Sequence, residues 1–328
     1  MAQLSVTLMR RTGIFVYPSR FLLKRAIVKS AHTPVPVTTY LKLVAVALFW
    51  GGTFIAGRIV ASEIPHMTAA ALRFAVASGL LWLLAWKLEG GLPKLTRQQM
   101  QATFALGATG IFLYNICFFS ALALMPAGRT ALFVALNPIV TALALAALFG
   151  ERLGARRWLG IAIAFAGAAV VITRGDLSSA LRDISQSVGK GELFMLCAVC
   201  GWAAYTIIGK HALRGLSPIA ATTYASLWGL SLLVCGAVTE WPQFDTSRLT
   251  WPVLAAIVYL GAFGTVIGFV WYYEGVKAIG PARTAVFNNL VPVFGITLAA
   301  LLLGEPILLS MIVGGLLVIA GVSLTNRQ

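Results

Sequence analysis

Few side chains in this 328-residue sequence are of types that do covalent chemistry, and their spacing suits the holding of a solute better than a reaction. The histidines, His32, His66 and His211, fall in segments that read as loops or tails. The four cysteines, Cys117, Cys197, Cys200 and Cys235, lie inside apolar runs, and Cys197-x-x-Cys200 has no histidine near it to complete a metal site. No H-E-x-x-H, G-x-S-x-G or phosphate-loop motif occurs, and none of the ten carboxylates falls at the centre of an apolar run. These features argue against a membrane-embedded enzyme, a resident metal or cofactor, and ATP-driven pumping by this chain alone. Amides, indoles and one arginine remain. Asn137 stands beside Pro138, and Asn288 and Asn289 stand just before Pro292. Proline lacks an N–H and crowds the carbonyl four residues back, so Val134 and Asn288 are expected to lose their helical partners. Amides beside such breaks can serve a substrate, or bond neighbouring helices. Trp50 and Trp202 lie mid-run, 152 positions apart, where they could face each other as walls with fixed N–H donors. Tyr205 would add a hydroxyl near Trp202, and Tyr114 with Asn115 are weaker candidates of the same kind. Arg73 reads first as an arginine snorkelling to the outer headgroups, and second as an attractor for a substrate carboxylate.

The elements that must position these residues are membrane helices. Hydrophobic residues make up 59 % of the chain and charged residues only 11 %, against about 25 % charged in a soluble domain. Ten apolar runs are expected to be transmembrane helices, at 41–60, 68–86, 102–122, 128–149, 156–173, 192–209, 218–238, 252–273, 282–303 and 307–325. They do not alternate as barrel strands would, so the fold class is all-α integral membrane. The formal charge of +15 reflects basic cytoplasmic loops, with no nucleic-acid surface implied. Counting Lys and Arg puts both termini in the cytoplasm. Residues 1–40, with no acid before Glu63, read as a basic tail, an over-long start or a targeting segment. Small-residue stripes such as Gly264-x-x-x-Gly268, and Gly160 to Gly167, are expected to let helices pack closely within one bundle; a homodimer stays open.

The chain also repeats itself. Residues 129–140 read RTALFVALNPIV and residues 283–294 read RTAVFNNLVPVF, and both copies run on into Gly-Glu, at Gly150–Glu151 and Gly304–Glu305. Trp50, Gly57 and Arg58 have counterparts in Trp202, Gly209 and Lys210. The polar segment 174–190 separates a first five-helix repeat, 41–173, from a second, 191–325. Five is odd, so the second repeat should enter the membrane from the opposite side, giving ten helices as two inverted repeats. The basic RLGARR after the first Gly-Glu and the uncharged PILLS after the second agree with opposite insertion. Arg129 and Arg283 begin helices, where a cation opposes the helix dipole, and Glu151 and Glu305 end them. With Pro138 and Pro292 as kinks, these four are candidates for ion pairs that lock alternate gates.

With LFWGGTFIAGRIV at 48–60, LRFAVASGLL at 72–81 and the paired Pro-containing helices ending in Gly-Glu, the sequence resembles the EamA-type permeases of the drug/metabolite transporter superfamily. That resemblance covers about 41 to 325. It implies an inner-membrane, multi-pass exporter or exchanger of small metabolites, with a cavity between the halves. The partners expected are the lipid bilayer and a small-molecule substrate, amino-acid-like or amphiphilic, moved by exchange or facilitated export. Sugar-phosphate or nucleotide-sugar exchange, or a non-transporting assembly subunit, are the alternatives.

Overall fold

The protein is described by a computed structural model covering residues 36–149, 154–173, 189–212, 215–279, 284 and 287–326. Ten apolar helical stretches occur among them. The first five are α1 (Val37–Ala61), α2 (His66–Glu89), α3 (97–124), α4 (127–149) and α5 (Ala155–Ile172). The second five are α6 (Lys190–Ala212), α7 (Pro218–Glu240), α8 (251–279), α9 (Phe287–Leu303) and α10 (Leu309–Asn326). Seven of them are long and apolar enough to cross a membrane, while α9 and α10 are shorter apolar helices. Glu151, Arg283, the start of the chain and most of 174–190 lie outside the described residues.

Two of the expected plain helices are not plain. α3 carries a π turn at Gly107–Leu113, and α8 carries one at Leu260–Ile267, 153 positions later. Each wraps a Gly-Ala-x-Gly sequence, at 107–110 and 261–264. A π turn leaves backbone groups out of the regular ladder and tends to mark functional positions. The prolines also act differently from the sequence expectation. A 3-10 turn at Val134–Leu136 precedes Pro138, and another at Phe287–Asn289 precedes Pro292. Each proline therefore falls in the first turn of the segment that follows, where a missing N–H costs least. The Val134 carbonyl, expected to be free, accepts from the Asn137 N–H across the 3-10 turn.

Helix ends show how the segments run. Glu240, at the end of α7, accepts from the Met67 and Thr68 amides at 3.1 and 2.9 Å, and from the Thr68 hydroxyl at 3.0 Å, at the start of α2. Glu89, the last residue of α2, accepts from the Ser217 hydroxyl at 2.7 Å, at the start of α7. The two helices thus lie antiparallel with a carboxylate at each junction, where the amide dipoles favour negative charge. Arg58 acts in the complementary sense, donating to the Leu122 and Met125 carbonyls at the end of α3. His66, expected in a loop, is the first residue of α2, with Nδ1 3.2 Å from the Ser120 hydroxyl.

Glycine sets the tightest approach. A Cβ on Gly167 of α5 would meet the Gly314 carbonyl of α10 at 2.6 Å, and one on Gly160 would meet the Gly321 carbonyl at the same distance. Backbone cannot give way as a flexible side chain can. Gly167→Val is therefore expected to cost about 1–3 kcal/mol by overpacking, read as a lower thermal midpoint of the purified protein in detergent. An unchanged midpoint would mean the two helices have room to separate.

Candidate functional site

The sequence candidates converge on one cavity. It encloses roughly 510 Å3 of empty space, its open mouth included, and takes residues from both halves of the chain. α1 gives Trp50, Thr53 and Phe54, α2 gives Arg73, and α3 gives Gly110, Tyr114, Asn115 and Phe118. α4 contributes Val134 and Asn137, α6 Trp202, α8 Phe269, and α9 with its leading turn Asn288 and Val291. Six of the eight proposed contact residues line it: Trp50, Arg73, Asn115, Asn137, Trp202 and Asn288. Tyr205 and Asn289 do not. Tyr205 stacks behind Trp202, with ring centroids 5.2 Å apart and planes at 30°. Asn289 is buried in the 3-10 turn that opens α9, and its Oδ1 has no hydrogen-bond partner among the described residues.

The walls are aromatic, as Trp50 and Trp202 led us to expect. Their rings meet edge to face, 5.8 Å apart and at 82°, and Phe269 closes on both, at 6.1 Å from Trp50 and 5.6 Å from Trp202. Tyr114 leans on Trp202 at 5.4 Å. Such pairs contribute about 0.5–1.5 kcal/mol each beyond area burial and hold the rings in fixed orientations. The Trp50 indole is pinned further, because Nε1 donates to the Gly264 carbonyl at 2.9 Å, inside the π turn of α8. Glycine is required beside it. A Cβ on Gly268 would lie 2.5 Å from Trp50 Nε1, and one on Gly264 would lie 2.6 Å from Thr53 Cγ2. The Gly264–Gly268 pair, read from sequence as ordinary helix packing, clears space for two cavity residues.

Arg73 corrects the snorkelling expectation. It is 5 % exposed, and its head is turned into the bundle. Nε donates to the Thr265 hydroxyl at 3.2 Å and Nη1 to Asn115 Oδ1 at 2.9 Å. Thr265 sits within the π turn of α8, and Asn115 sits two residues past the π turn of α3. Asn115 Nδ2 in turn donates to the Ile111 carbonyl at 2.7 Å, which fixes the amide so that its oxygen faces the arginine. The two π turns therefore cradle Arg73 from either side. Nothing in the apolar pattern signals them; the repeated Gly-Ala-x-Gly is the one signal that could have.

At one end of the bundle two carboxylates hold the start of α4. Glu305 accepts from the Ala127 and Gly128 amides at 2.8 and 2.9 Å, a helix N-terminus binding an anion. Gly304, at φ 66°, makes the left-handed turn that ends α9 and brings Glu305 there. Arg129 pairs with Glu192 of α6 at 2.8 Å, with side chains 10 % and 5 % exposed. The cation at a helix start, unfavourable alone, is thus met by a buried carboxylate. Glu305 engages backbone amides where the sequence suggested an ion pair. The same α4 continues through its 3-10 turn to Val134 and Asn137 in the cavity wall.

Apolar helices long enough to cross a bilayer, packed around a cavity whose walls carry amides, indoles and one arginine among the described residues, mark a multi-pass membrane protein with a polar site inside its bundle. The sequence pattern of the EamA-like transporter family matches residues 37–173 and again 189–327. An uncharacterized transporter of Bacillus subtilis, YyaM, is 30 % identical over 284 residues, covering 86 % of this chain and 92 % of that protein. A probable terminal-alkyne amino-acid exporter of Streptantibioticus cattleyicolor is 28 % identical over 295 residues, covering 87 % and 92 %. A solved crystal structure, 20 % identical, superposes with a TM-score of 0.61 over 88 % of this chain and 97 % of its own. The chain belongs to the EamA-like transporter family, within the drug/metabolite transporter superfamily, and is a multi-pass membrane transporter.

Proposed function

We propose that this transporter exports or exchanges small organic metabolites, amino-acid-like or amphiphilic, across the inner membrane by alternating access between two five-helix halves of opposite orientation. One observation carries this reading: Trp50 and Trp202, equivalent residues of the two repeats, meet in a single cavity. Halves that share a site can exchange conformations around it and open it to either side in turn. The opposed orientation, with 41–173 and 191–325 as the halves and both termini cytoplasmic, draws support from the end-to-start carboxylate contacts between α2 and α7. The likeness to an amino-acid exporter supports the substrate class. Sugar-phosphate exchange is less favoured, because Arg73 is the one cation among the described residues that line the cavity.

In this cycle, Arg129–Glu192 and the Glu305 cap close the outer side by holding the start of α4. Arg283 and Glu151 occupy the equivalent places in the other repeat and would serve the cytoplasmic side. Energy comes from exchange or the substrate's own gradient, so flux should persist without a pH gradient; strict dependence on one would contradict this. Cells overexpressing the protein should tolerate toxic amino-acid analogues better than cells lacking it, and Asn288→Ala should abolish that gain while leaving the folded protein in the membrane. Equal tolerance across a broad panel would refute export of this class.

A further inference from the structure

The aromatic walls account for an apolar part of a substrate and leave Arg73 unanswered. Its two hydrogen-bond partners, Thr265 and Asn115, are neutral. It takes part in none of the ion pairs found among the described residues. The Phe74 and Phe118 rings, 5.3 and 5.9 Å from the guanidinium carbon, supply only the weaker attraction of aromatic faces. An arginine inside a membrane bundle is costly unless an opposite charge or water meets it, and such residues face cavities for that reason. Arg73 faces this one, and neither of its hydrogen bonds to the described residues uses Nη2. None of the described residues lining the cavity is an acid. The same walls carry a complementary vacancy in hydrogen bonding: Asn137 is 4 % exposed, and its Oδ1 accepts from none of the described residues.

We infer that the cavity binds a solute bearing a carboxylate, seated on Arg73, with a nearby N–H donor directed to Asn137 Oδ1, and that Arg73 makes the site discriminate against amines and other cations. This rests on reading the cavity as the transport site. The guanidinium, held on two sides by Asn115 and Thr265, offers its Nη2 donors to a carboxylate as charge-assisted bonds. An amino acid carries both a carboxylate and an N–H donor. An organic acid without an amine carries the first alone, and an amine without a carboxylate meets an uncompensated positive charge.

The test measures binding of L-phenylalanine, L-leucine, 3-phenylpropionate and phenethylamine to the purified full-length protein by titration calorimetry. The amino acids are expected to bind at least tenfold more tightly than phenethylamine, with 3-phenylpropionate between them. Arg73→Gln should weaken the three carboxylates at least tenfold and leave phenethylamine unchanged or improved, while Arg73→Lys retains the preference for carboxylates. Should Arg73→Gln not fold, Asn115→Ala, which releases the arginine from its fixed position, should narrow the preference several-fold. Phenethylamine binding as tightly as the acids, failure of all three carboxylates to bind, or unaltered preference in the Arg73 variants would overturn the inference. Trp202→Ala separates the two layers. If it weakens every probe while Arg73→Gln alters none, the cavity stands as the site and the charge assignment falls; if neither variant changes the binding of a probe, both fall.

Discussion

Arg129→Ala should lower stability by about 3–5 kcal/mol, because it strands Glu192 as a buried carboxylate without its cation. At 2.8 Å, with both side chains nearly sealed from solvent, the pair lies where an unmatched charge is most costly. The Gly189 amide, donating to Glu192 Oε2 at 2.9 Å, compensates for only part of that loss. The double change Arg129→Leu with Glu192→Leu should recover much of the stability, since an apolar pair can replace a buried ion pair at little cost. Denaturation midpoints of the parent, Arg129→Leu, Glu192→Leu and the double would give the coupling between the two sites. A coupling below about 0.5 kcal/mol would show that the pair contributes little to joining α4 and α6.

Trp202→Ala should reduce transport at least tenfold with the folded yield unchanged. The ring touches Trp50, Tyr114, Tyr205 and Phe269, so truncation removes the centre of the aromatic wall and leaves its neighbours without a fixed face. Loss of a buried Trp typically costs about 3–5 kcal/mol in a sealed core. Trp202 is only partly buried and faces the cavity, so the greater part of its loss should register in flux. Proteoliposome efflux measured beside gel-filtration profiles separates the two. Flux equal to the parent would clear Trp202 of a substrate role.

Much of this site was legible in the sequence because repetition is robust to ignorance of geometry. Trp50 and Trp202, and the amides beside Pro138 and Pro292, stood out by type and by matching position, and Trp50, Trp202, Asn137 and Asn288 share the cavity. What could not be read depends on direction. Arg73 near a span end could turn toward headgroups or inward, and only the neighbours on α3 and α8 decide it. Those neighbours are placed by π turns, which leave the hydrophobic run intact and so leave no trace in an apolar pattern. The role of Glu305 was hidden for a similar reason, since a carboxylate that binds backbone amides has no partner side chain to recognise. Asn288 lines the cavity and Asn289 does not, because neighbouring residues in a helical turn point in different directions, which adjacency in sequence does not reveal.

Alternating exposure of the cavity is most directly tested with one cysteine. In a protein whose Cys117, Cys197, Cys200 and Cys235 are replaced by alanine, Val134→Cys places a thiol in the α4 wall of the cavity. A membrane-impermeant maleimide is then applied separately to right-side-out and inside-out vesicles. The account predicts labelling from both faces, at rates that shift in opposite senses when a bound solute biases the protein toward one conformation. Labelling from one face alone under all conditions, or from neither while transport proceeds, would contradict it.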